Sequence, residues 1–320
     1  MKIKLTRIMR TAVALVIILG FLCLMGCDVQ QATSANPGDS DVLKGTHAGG
    51  FINGSAVGKH NGSNIIWVQQ VGKLKVFDSG IKMLAELSID IGNLEAVENL
   101  AVVSKGRTVS VYKYDAGQIS QLGTGVSLPG QYNINTLFID GRKVIASLEH
   151  AGASWWVDID TRVQFTLFSS RETYTFASHN GVLHGFGTVY PADGGPATGG
   201  IVRKWDSSNS YNYLGDVALP SGGIGGAITF ADGQFGLLDP FKFVKLDLTK
   251  PTTPQILAQG SYVETCSDGV NYALSGGSVV VTPKQQYKIR ARLTRGLHNI
   301  GSGQFIAVSD SGYIYNNLAY

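Results

Sequence analysis

From about residue 50 to its end, the chain alternates short apolar runs with tight turns. The most regular stretch, Gly223 to Gly260, contains four such runs: AITF, QFGLL, FKFVKL and QILAQG. An Asp232-Gly233 turn separates the first two runs, and Pro251 and Pro254 punctuate the link to the fourth. Apolar runs bounded by such turn signals predict strands, so this stretch predicts a four-stranded antiparallel meander of about forty residues.

Two marks indicate that this unit repeats along the chain. The first mark is the turn of each unit's leading hairpin, for which Asn-Gly and Asp-Gly are the strongest short signals. It occurs at Asn61-Gly62, Asp140-Gly141, Asn180-Gly181, Asp232-Gly233, Asp268-Gly269 and Ser302-Gly303, with one further unit predicted to turn near Glu98-Asn99. The second mark is the end of the third strand, at Asp78, Asp115, Asp160, Asp206 and Asp247, then near Pro283 and Asn316. Both marks count seven units.

Seven units with four strands each predict an all-β fold, a seven-bladed β-propeller. After Asn316 too few residues remain for a fourth strand in the last unit, and residues 42–54 are predicted to supply it. Joining the two ends of the chain in one blade would remove open sheet edges. Six blades with irregular ends is the alternative.

Composition agrees with this fold class and excludes one class of partner. The chain has 41 Gly, 15% charged and 44% hydrophobic residues, enough for a core with many turns. Of 26 basic residues, four lie in residues 1–10, a segment predicted to be removed, which leaves 22 against 23 acidic residues. Such a near-neutral chain lacks the electrostatic footprint of a nucleic-acid-binding protein.

The N-terminus predicts export and a lipid anchor. The four basic residues precede an almost wholly apolar segment, residues 11–25, as in a secretory signal peptide. This segment is shorter than the about 20 apolar residues of a membrane-spanning helix. Leu24-Met25-Gly26-Cys27 resembles the lipobox of bacterial lipoproteins, which implies a signal peptide at 1–26 and acyl chains such as palmitate on Cys27. An uncleaved anchor helix is the alternative.

A lipidated Cys27 implies an address in the cell envelope, because two or more acyl chains hold a protein stably on a membrane. We expect the chain to face the periplasm or exterior from the cell membrane or outer membrane. Asp28 resembles an inner-membrane retention signal. Residues 28–41 are polar, so 27–41 is expected to be a lipidated tether before the propeller at 42–320. Cys266 then has no disulfide partner, and its apolar strand pattern predicts a buried, inert thiol.

Part of the repeat also resembles a known class. FKFVKLD, the following Lys250-Pro251 and Pro254, and the run VNYALSGGSVVV are similar to LVIVD-type and YVTN-like propeller repeats of exported prokaryotic proteins. The similarity extends over roughly residues 236–282. It supports the fold but not a function, since propellers host many functions.

No motif predicts catalysis or a cofactor. The sequence lacks a nucleophile elbow, a phosphate-binding loop and a zinc-protease helix. His179 and His184 flank the hairpin SHNGVLH and are a candidate metal-binding pair, although the sequence suggests no third ligand. The alternative is that both histidines are polar residues that flank a turn.

A candidate partner-binding face lies where the repeat is irregular. Residues 189–200 are an insertion between the second and third strands of the fourth unit, a position that opens on the face carrying the blade-to-blade crossings. Exposed aromatic side chains there would favour binding of a protein or glycan. The candidate residues are Tyr190 and Asp193 in the insertion, and Glu149, His150, Trp155 and Trp156 near the corresponding connection one unit earlier. Alternatively, at least one tryptophan packs between blades, because adjacent strand residues face opposite ways.

These observations favour a membrane-anchored, non-catalytic binding or scaffold propeller with an envelope partner. One alternative is a propeller enzyme, either a metal-dependent lactonase-like hydrolase or a quinoprotein-like oxidoreductase. A third hypothesis is an accessory subunit of a surface complex.

Overall fold

The computed structural model describes residues 42–148, 153–169, 174–189, 199–220 and 225–320. These ranges contain β-strands and no helices, and the strands form seven antiparallel sheets. Consecutive sheets occupy consecutive stretches of the chain, so the fold is a seven-bladed β-propeller. The prediction of seven blades is confirmed, and the alternative of six is wrong. No helix within these ranges is long and apolar enough to cross a membrane.

The strands are numbered in chain order, and β1 (Thr46–His47) is separate from the first blade. Blade 1 contains β2 (Ile52–His60), β3 (Ser63–Gln70), β4 (Lys73–Asp78) and β5 (Met83–Ser88). Blade 2 contains β6 (Leu94–Val97), β7 (Leu100–Lys105), β8 (Thr108–Asp115), and two short outer strands, β9 (Gln118–Gln121) and β10 (Val126–Ser127), which both pair with β8. Blade 3 contains β11 (Ile134–Asp140), β12 (Lys143–Leu148), β13 (Ala153–Asp158) and β14 (Gln164–Ser169).

The remaining four blades follow the same order. Blade 4 contains β15 (Tyr174–His179), β16 (Val182–Val189), β17 (Gly199–Asp206) and β18 (Asn212–Leu219). Blade 5 contains β19 (Gly226–Thr229), β20 (Phe235–Asp239), β21 (Lys242–Leu246) and β22 (Gln255–Gln259). Blade 6 contains β23 (Glu264–Ser267), β24 (Tyr272–Ser275), β25 (Val279–Val281) and β26 (Gln286–Lys288). Blade 7 contains β27 (Thr294–Gly301), β28 (Gln304–Ser309) and β29 (Tyr313–Ala319), with β1 as its outer strand.

The two ends of the propeller domain meet in blade 7. Strand β1 pairs antiparallel with β29, with Thr46 opposite Ile314. This pairing confirms the predicted closure by an N-terminal strand, and the closing strand itself is only two residues long. Contrary to the prediction, β29 does not end near Asn316 but continues to Ala319, with a positive φ of 54° at Asn317.

The turns follow the sequence marks, but some third strands end before the predicted residue, at Leu246 before Asp247 in blade 5 and at Val281 before Pro283 in blade 6. The leading hairpin of blade 2 turns at Glu98-Asn99 as predicted, and Glu98 has a φ of 51°. In blade 3 the third strand ends at Asp158, not at the predicted Asp160. The Asp158 carboxylate accepts hydrogen bonds from the backbone N–H groups of Asp160 (3.0 Å) and Thr161 (2.8 Å), so it closes the strand by bonding the turn.

The core lies between the blades. Among the described residues, seven clusters of buried apolar side chains occur, one at each interface between neighbouring blades. Each sheet has a neighbour on both faces, which is why the second strands are nearly continuous apolar runs. Trp67, Phe186 and Phe305 are fully buried in three of these clusters. Burial of such side chains stabilises the fold by about 1.5–3 kcal/mol each.

Because neighbouring strands in each blade run in opposite directions, the connections between strands lie on two distinct faces of the propeller. The first-to-second and third-to-fourth strand turns lie on one face, which we call the hairpin face. The crossings between blades and the second-to-third strand turns lie on the other, which we call the crossing face. The first strand of each blade lines the central channel. The insertion predicted in the fourth unit falls between β16 and β17, and residues 190–198 lie outside the described residues.

Candidate functional site: the mouth of the central channel

A polar cavity of about 280 Å³ lies in the central channel near the crossing face. We call it the channel mouth. The crossing-face ends of β2, β6, β11, β23 and β27 line it. Its charged side chains are Glu95, Glu264 and Arg295, and its other polar residues include Asn53 and Asn135. The charged groups come from blades 2, 6 and 7, so only the closed ring brings them together.

Three of these strands carry a bulge at the level of the cavity. The register of β2 against β3 shifts between Ile52 and Gly54, which leaves Asn53 as the extra residue. The register of β11 against β12 shifts in the same way around Asn135. On β27 the shift places two residues, Arg295 and Gly296, opposite the single residue Val308. Bulges redirect side chains and are frequent beside functional sites. Here each bulge contributes an exposed polar side chain to the channel mouth.

The bulge on β27 is held by a buried contact with blade 1. Ser55 Oγ donates a hydrogen bond to the Arg295 carbonyl oxygen at 2.9 Å and lies 2.8 Å from His298 Nε2. Since the hydroxyl proton is used on the carbonyl, His298 Nε2–H is the donor to Ser55. Burial lowers the pKa of His298 to about 4, so the ring is neutral at physiological pH.

Gly296 is required in this bulge. It has a φ of 156°, and a Cβ added there would overlap both Ser55 Oγ and His298 Nε2. A side chain at this position would therefore separate the residues that fix the Arg295 backbone. The glycine thus has a steric role as well as a conformational one.

Two carboxyl groups face the channel mouth without a partner. Among the described residues, neither Glu95 nor Glu264 has a side-chain hydrogen bond or ion pair. Desolvation, and secondly repulsion by Glu264, raises the pKa of Glu95 to about 8. Desolvation also raises the pKa of Glu264 to about 7, against the opposing effect of Arg295. Each side chain keeps a partly accessible surface, which is the surface it presents to the cavity. Strongly perturbed carboxyls in one cavity are typical of functional sites.

Gln69 also lines this cavity, and its side chain contains a buried acceptor without a donor in the described part of the chain. It lies on β3 with 5% of its surface exposed, and its Nε2 donates to the Ile91 carbonyl oxygen at 2.6 Å. Its Oε1 is buried and has no hydrogen-bond partner among the described residues. A Cβ on Gly54 would stand 3.0 Å from this oxygen, so the glycine leaves room for the amide beside the channel wall.

A second cavity, of about 380 Å³, lies at the hairpin-face end of the channel. Its walls are largely apolar and include Val57, Ala96, Val97 and Ile300. It is larger than the channel mouth, and Lys59, Asn64, Glu98 and Asn299 also line it. The channel mouth is the better candidate because it contains two carboxyl groups with strongly raised pKa values.

The predicted histidine pair lies in blade 4, away from the channel mouth. His184 is buried between blades 4 and 5, with its ring centroid 4.5 Å from that of Phe235. Desolvation lowers the pKa of His184 to about 4. His179 lies against the turn at Gly233 on the hairpin face. Among the described residues, no group of three or more His, Cys, Asp or Glu side chains could hold a metal ion.

The structure separates the two tryptophans of the predicted partner-binding patch. Trp156 is 8% exposed and packs between blades 3 and 4, where its ring stacks on Phe165 at 4.3 Å. Trp155 is partly buried against the core between blades 2 and 3. Alternation along β13 predicts this opposite orientation. The other four candidates of that patch, Glu149, His150, Tyr190 and Asp193, lie outside the described residues, as does Cys27.

Cys266 is buried between blades 6 and 7, as its strand pattern predicts. Its Sγ lies 3.3 Å from Tyr320 Oη, and burial raises the pKa of the thiol to about 12. A thiol with so little thiolate is a poor nucleophile.

Comparison with known proteins supports the fold and no finer grouping. No protein-family model matches the chain, and no curated protein matches it. The Dos1 propeller is similar in structure, with 13% identity and a TM-score of 0.57 over 80% of this chain and 75% of that one. The extracellular domain of BT4673 from B. thetaiotaomicron has 10% identity and a TM-score of 0.62 over 87% of this chain and 41% of that one. KlHsv2, with its loop 6CD replaced by a Gly-Ser linker, has 10% identity and a TM-score of 0.58 over 82% and 90%.

Sequence reasoning missed Glu95, Glu264, Arg295 and Gln69. One signal was available in the sequence. The leading strands LEAV, ETCS and TRGLHNIG contain polar residues, and such residues in a leading strand indicate positions that face the channel. Gly54 and Gly296 inside the leading strands are local signals for two of the register shifts, whereas the shift around Asn135 has none.

Proposed function

We propose that this protein is a non-catalytic binding propeller of the cell envelope, which recognises its partner with the crossing face around the channel mouth. The observation that carries the proposal is the set of unpaired polar side chains that three bulges and two inner strands bring to this mouth. Unpaired charged groups in a cavity cost stability, and such a cost is typical of sites kept for binding.

The membrane anchor is part of the same proposal. A lipidated Cys27 and the tether to residue 41 would hold the propeller at the membrane, at the inner membrane if Asp28 acts as a retention signal. The similarity of residues 236–282 to LVIVD-type and YVTN-like repeats of exported proteins agrees with an envelope location. An envelope protein or glycan is the expected partner, and the chain could also serve as an accessory subunit of a surface complex.

A pull-down of the lipidated protein from crosslinked cells tests this function. We expect specific partners to be recovered with the wild type and lost with Arg295→Glu, which reverses the charge at the channel mouth. Lys59→Glu is the matched control, because Lys59 is an exposed cation at the opposite end of the same channel. Recovery of the same partners with Arg295→Glu, or of none beyond those found with a non-lipidated Cys27→Ala form, would contradict the proposal.

One observation favours a second candidate, a propeller enzyme. Glu95 and Glu264 are two carboxyls in one cavity, and their raised pKa values of about 8 and 7 suit proton transfer near neutral pH. In a metal-dependent lactonase-like hydrolase, such groups would transfer protons. Release of acid from a panel of lactones by the wild type, abolished in Glu95→Gln and Glu264→Gln, would favour the enzyme over the non-catalytic propeller.

A further inference from the structure

The channel mouth contains hydrogen-bond acceptors that lack donors among the described residues. Gln69 Oε1 is buried without a donor, and the carboxyls of Glu95 and Glu264 lack donors among the described residues. A buried acceptor left unpaired costs about 1–3 kcal/mol, and a carboxylate costs more. A ligand with several N–H donors and a positive charge would satisfy the two carboxyls, and a primary ammonium group has three donors.

The same cavity also carries a positive charge on Arg295 of blade 7, next to the blade of Glu264. Arg295 acts on Glu264 through space and lowers its pKa, yet no ion pair joins the two side chains. The bulge held by Ser55 and His298 fixes the Arg295 backbone. The cavity therefore contains charged groups of both signs that form no ion pair with each other. Guanidinium groups bind carboxylates with two parallel hydrogen bonds.

We propose that the channel mouth binds a small zwitterion, with its ammonium group facing Glu95 and Glu264 and its anionic group facing Arg295. This inference rests on the proposed binding function. An α-amino acid is the simplest ligand of this class. The cavity volume of about 280 Å³ is at the small end of ligand sites, which suits a single amino acid.

The cavity is less suited to a metal ion. Calcium takes six to eight oxygen ligands, whereas the described residues contain no group of three or more acidic, histidine or cysteine side chains that could hold a metal. Arg295 would also repel a cation that lacks an anionic partner. A zwitterion avoids this repulsion because its own anionic group meets the guanidinium.

The pH dependence of ligand affinity provides a second test of the site. The titratable and charged groups facing the cavity are Glu95, Glu264, His298 and Arg295. His298 stays neutral near pH 7 because its pKa is about 4. Both carboxyls are partly protonated near neutral pH, and an ammonium group binds the ionised form. We therefore expect affinity to increase from pH 6 to pH 8, with release of protons on binding.

Isothermal titration calorimetry on the full-length protein in detergent tests the proposal. The probes are the proteinogenic amino acids, ethylamine, acetate and calcium chloride. We expect at least one amino acid to bind, and Glu95→Gln and Arg295→Gln each to weaken it at least about tenfold, the size of one charged hydrogen bond. Lys59→Gln, at the other end of the channel, should leave binding unchanged. Thermal unfolding would confirm that all variants are folded.

Several results would overturn the proposal. These are binding of no amino acid, binding unaffected by Glu95→Gln or Arg295→Gln, ethylamine binding as tightly as the amino acid, and calcium binding instead of it. The pull-down remains an independent measurement. Partner recovery that still depends on Arg295 while no amino acid binds would reject the zwitterion and leave the binding function standing.

Discussion

The interfaces between blades differ from the channel mouth in whether their side chains have packing or hydrogen-bond partners. At the interfaces, apolar side chains such as Phe305 and Phe243 are fully buried and have packing partners on both sides. At the channel mouth, Glu95, Glu264 and Gln69 have polar atoms without partners among the described residues. The interfaces stabilise the fold, whereas the unpaired groups of the channel mouth destabilise it, as is common in binding sites.

Truncation of an interface side chain should therefore have the largest effect. Phe305 is fully buried where blades 6 and 7 meet, with its ring centroid 5.0 Å from that of Tyr320. Phe305→Ala is expected to lower the free energy of unfolding by about 3–5 kcal/mol, measured by denaturant titration. Phe241→Ala is the matched control, since Phe241 is 77% exposed and its loss should cost less than about 0.5 kcal/mol. Similar costs for the two variants would contradict a core located between the blades.

A change in the bulge of β27 should affect both stability and binding. Gly296→Ala places a methyl group against Ser55 and His298, and such overpacking costs about 1–3 kcal/mol. Gly301→Ala on the same strand is the control, because Gly301 has a φ of 87° but open space around it. Both variants share the cost of a positive φ, so denaturant titration should show a larger loss for Gly296→Ala, accompanied by loss of ligand binding. An equal loss in the two variants would mean that the contact with Ser55 and His298 has no energetic role.

This contrast also explains what the sequence could and could not predict. Turns such as Asn61-Gly62 are local signals, so their spacing sufficed to count the blades. The pairing of β1 with β29 followed from counting strands at the chain ends. Glu95 and Glu264, however, are far apart in the sequence and share a cavity only after ring closure. Gly296 is a local signal for the bulge in β27, but it does not indicate that Arg295 faces the channel, which depends on how β27 pairs with β28.

The pH dependence of stability should separate the channel mouth from the rest of the fold. The pKa of Glu95 is raised from about 4.5 to about 8, so the folded state binds a proton that the unfolded state has released. Its contribution to stability is therefore fully present below about pH 4.5 and is lost as the pH rises through 8. One such carboxyl decreases the free energy of unfolding by at most about 1.4 kcal/mol per pH unit in that window.

Glu95→Gln should remove much of this slope, because glutamine does not titrate. We expect the variant to match the wild type near pH 5 and to be more stable near pH 8, as measured by thermal unfolding across this range. Glu86→Gln is a control, since an ion pair with Lys73 lowers the pKa of that carboxyl. A wild-type stability that does not decrease between pH 5 and pH 8 would contradict the shifted titration of Glu95.

The smallest expected effects come from two exposed arginines on opposite faces. On the hairpin face, Arg142 forms ion pairs with Glu98 (2.9 Å) and Asp160, whereas Arg295 at the channel mouth has no ion pair among the described residues. Arg142→Ala is expected to cost up to about 1 kcal/mol at low salt and less at high salt, because exposed ion pairs are weak and screened. Arg295→Ala should change the free energy of unfolding by less than about 0.5 kcal/mol at either salt concentration, yet abolish ligand binding. A greater stability loss for Arg295→Ala than for Arg142→Ala would show that Arg295 stabilises the fold, and the contrast between interface and mouth would then fail at this residue.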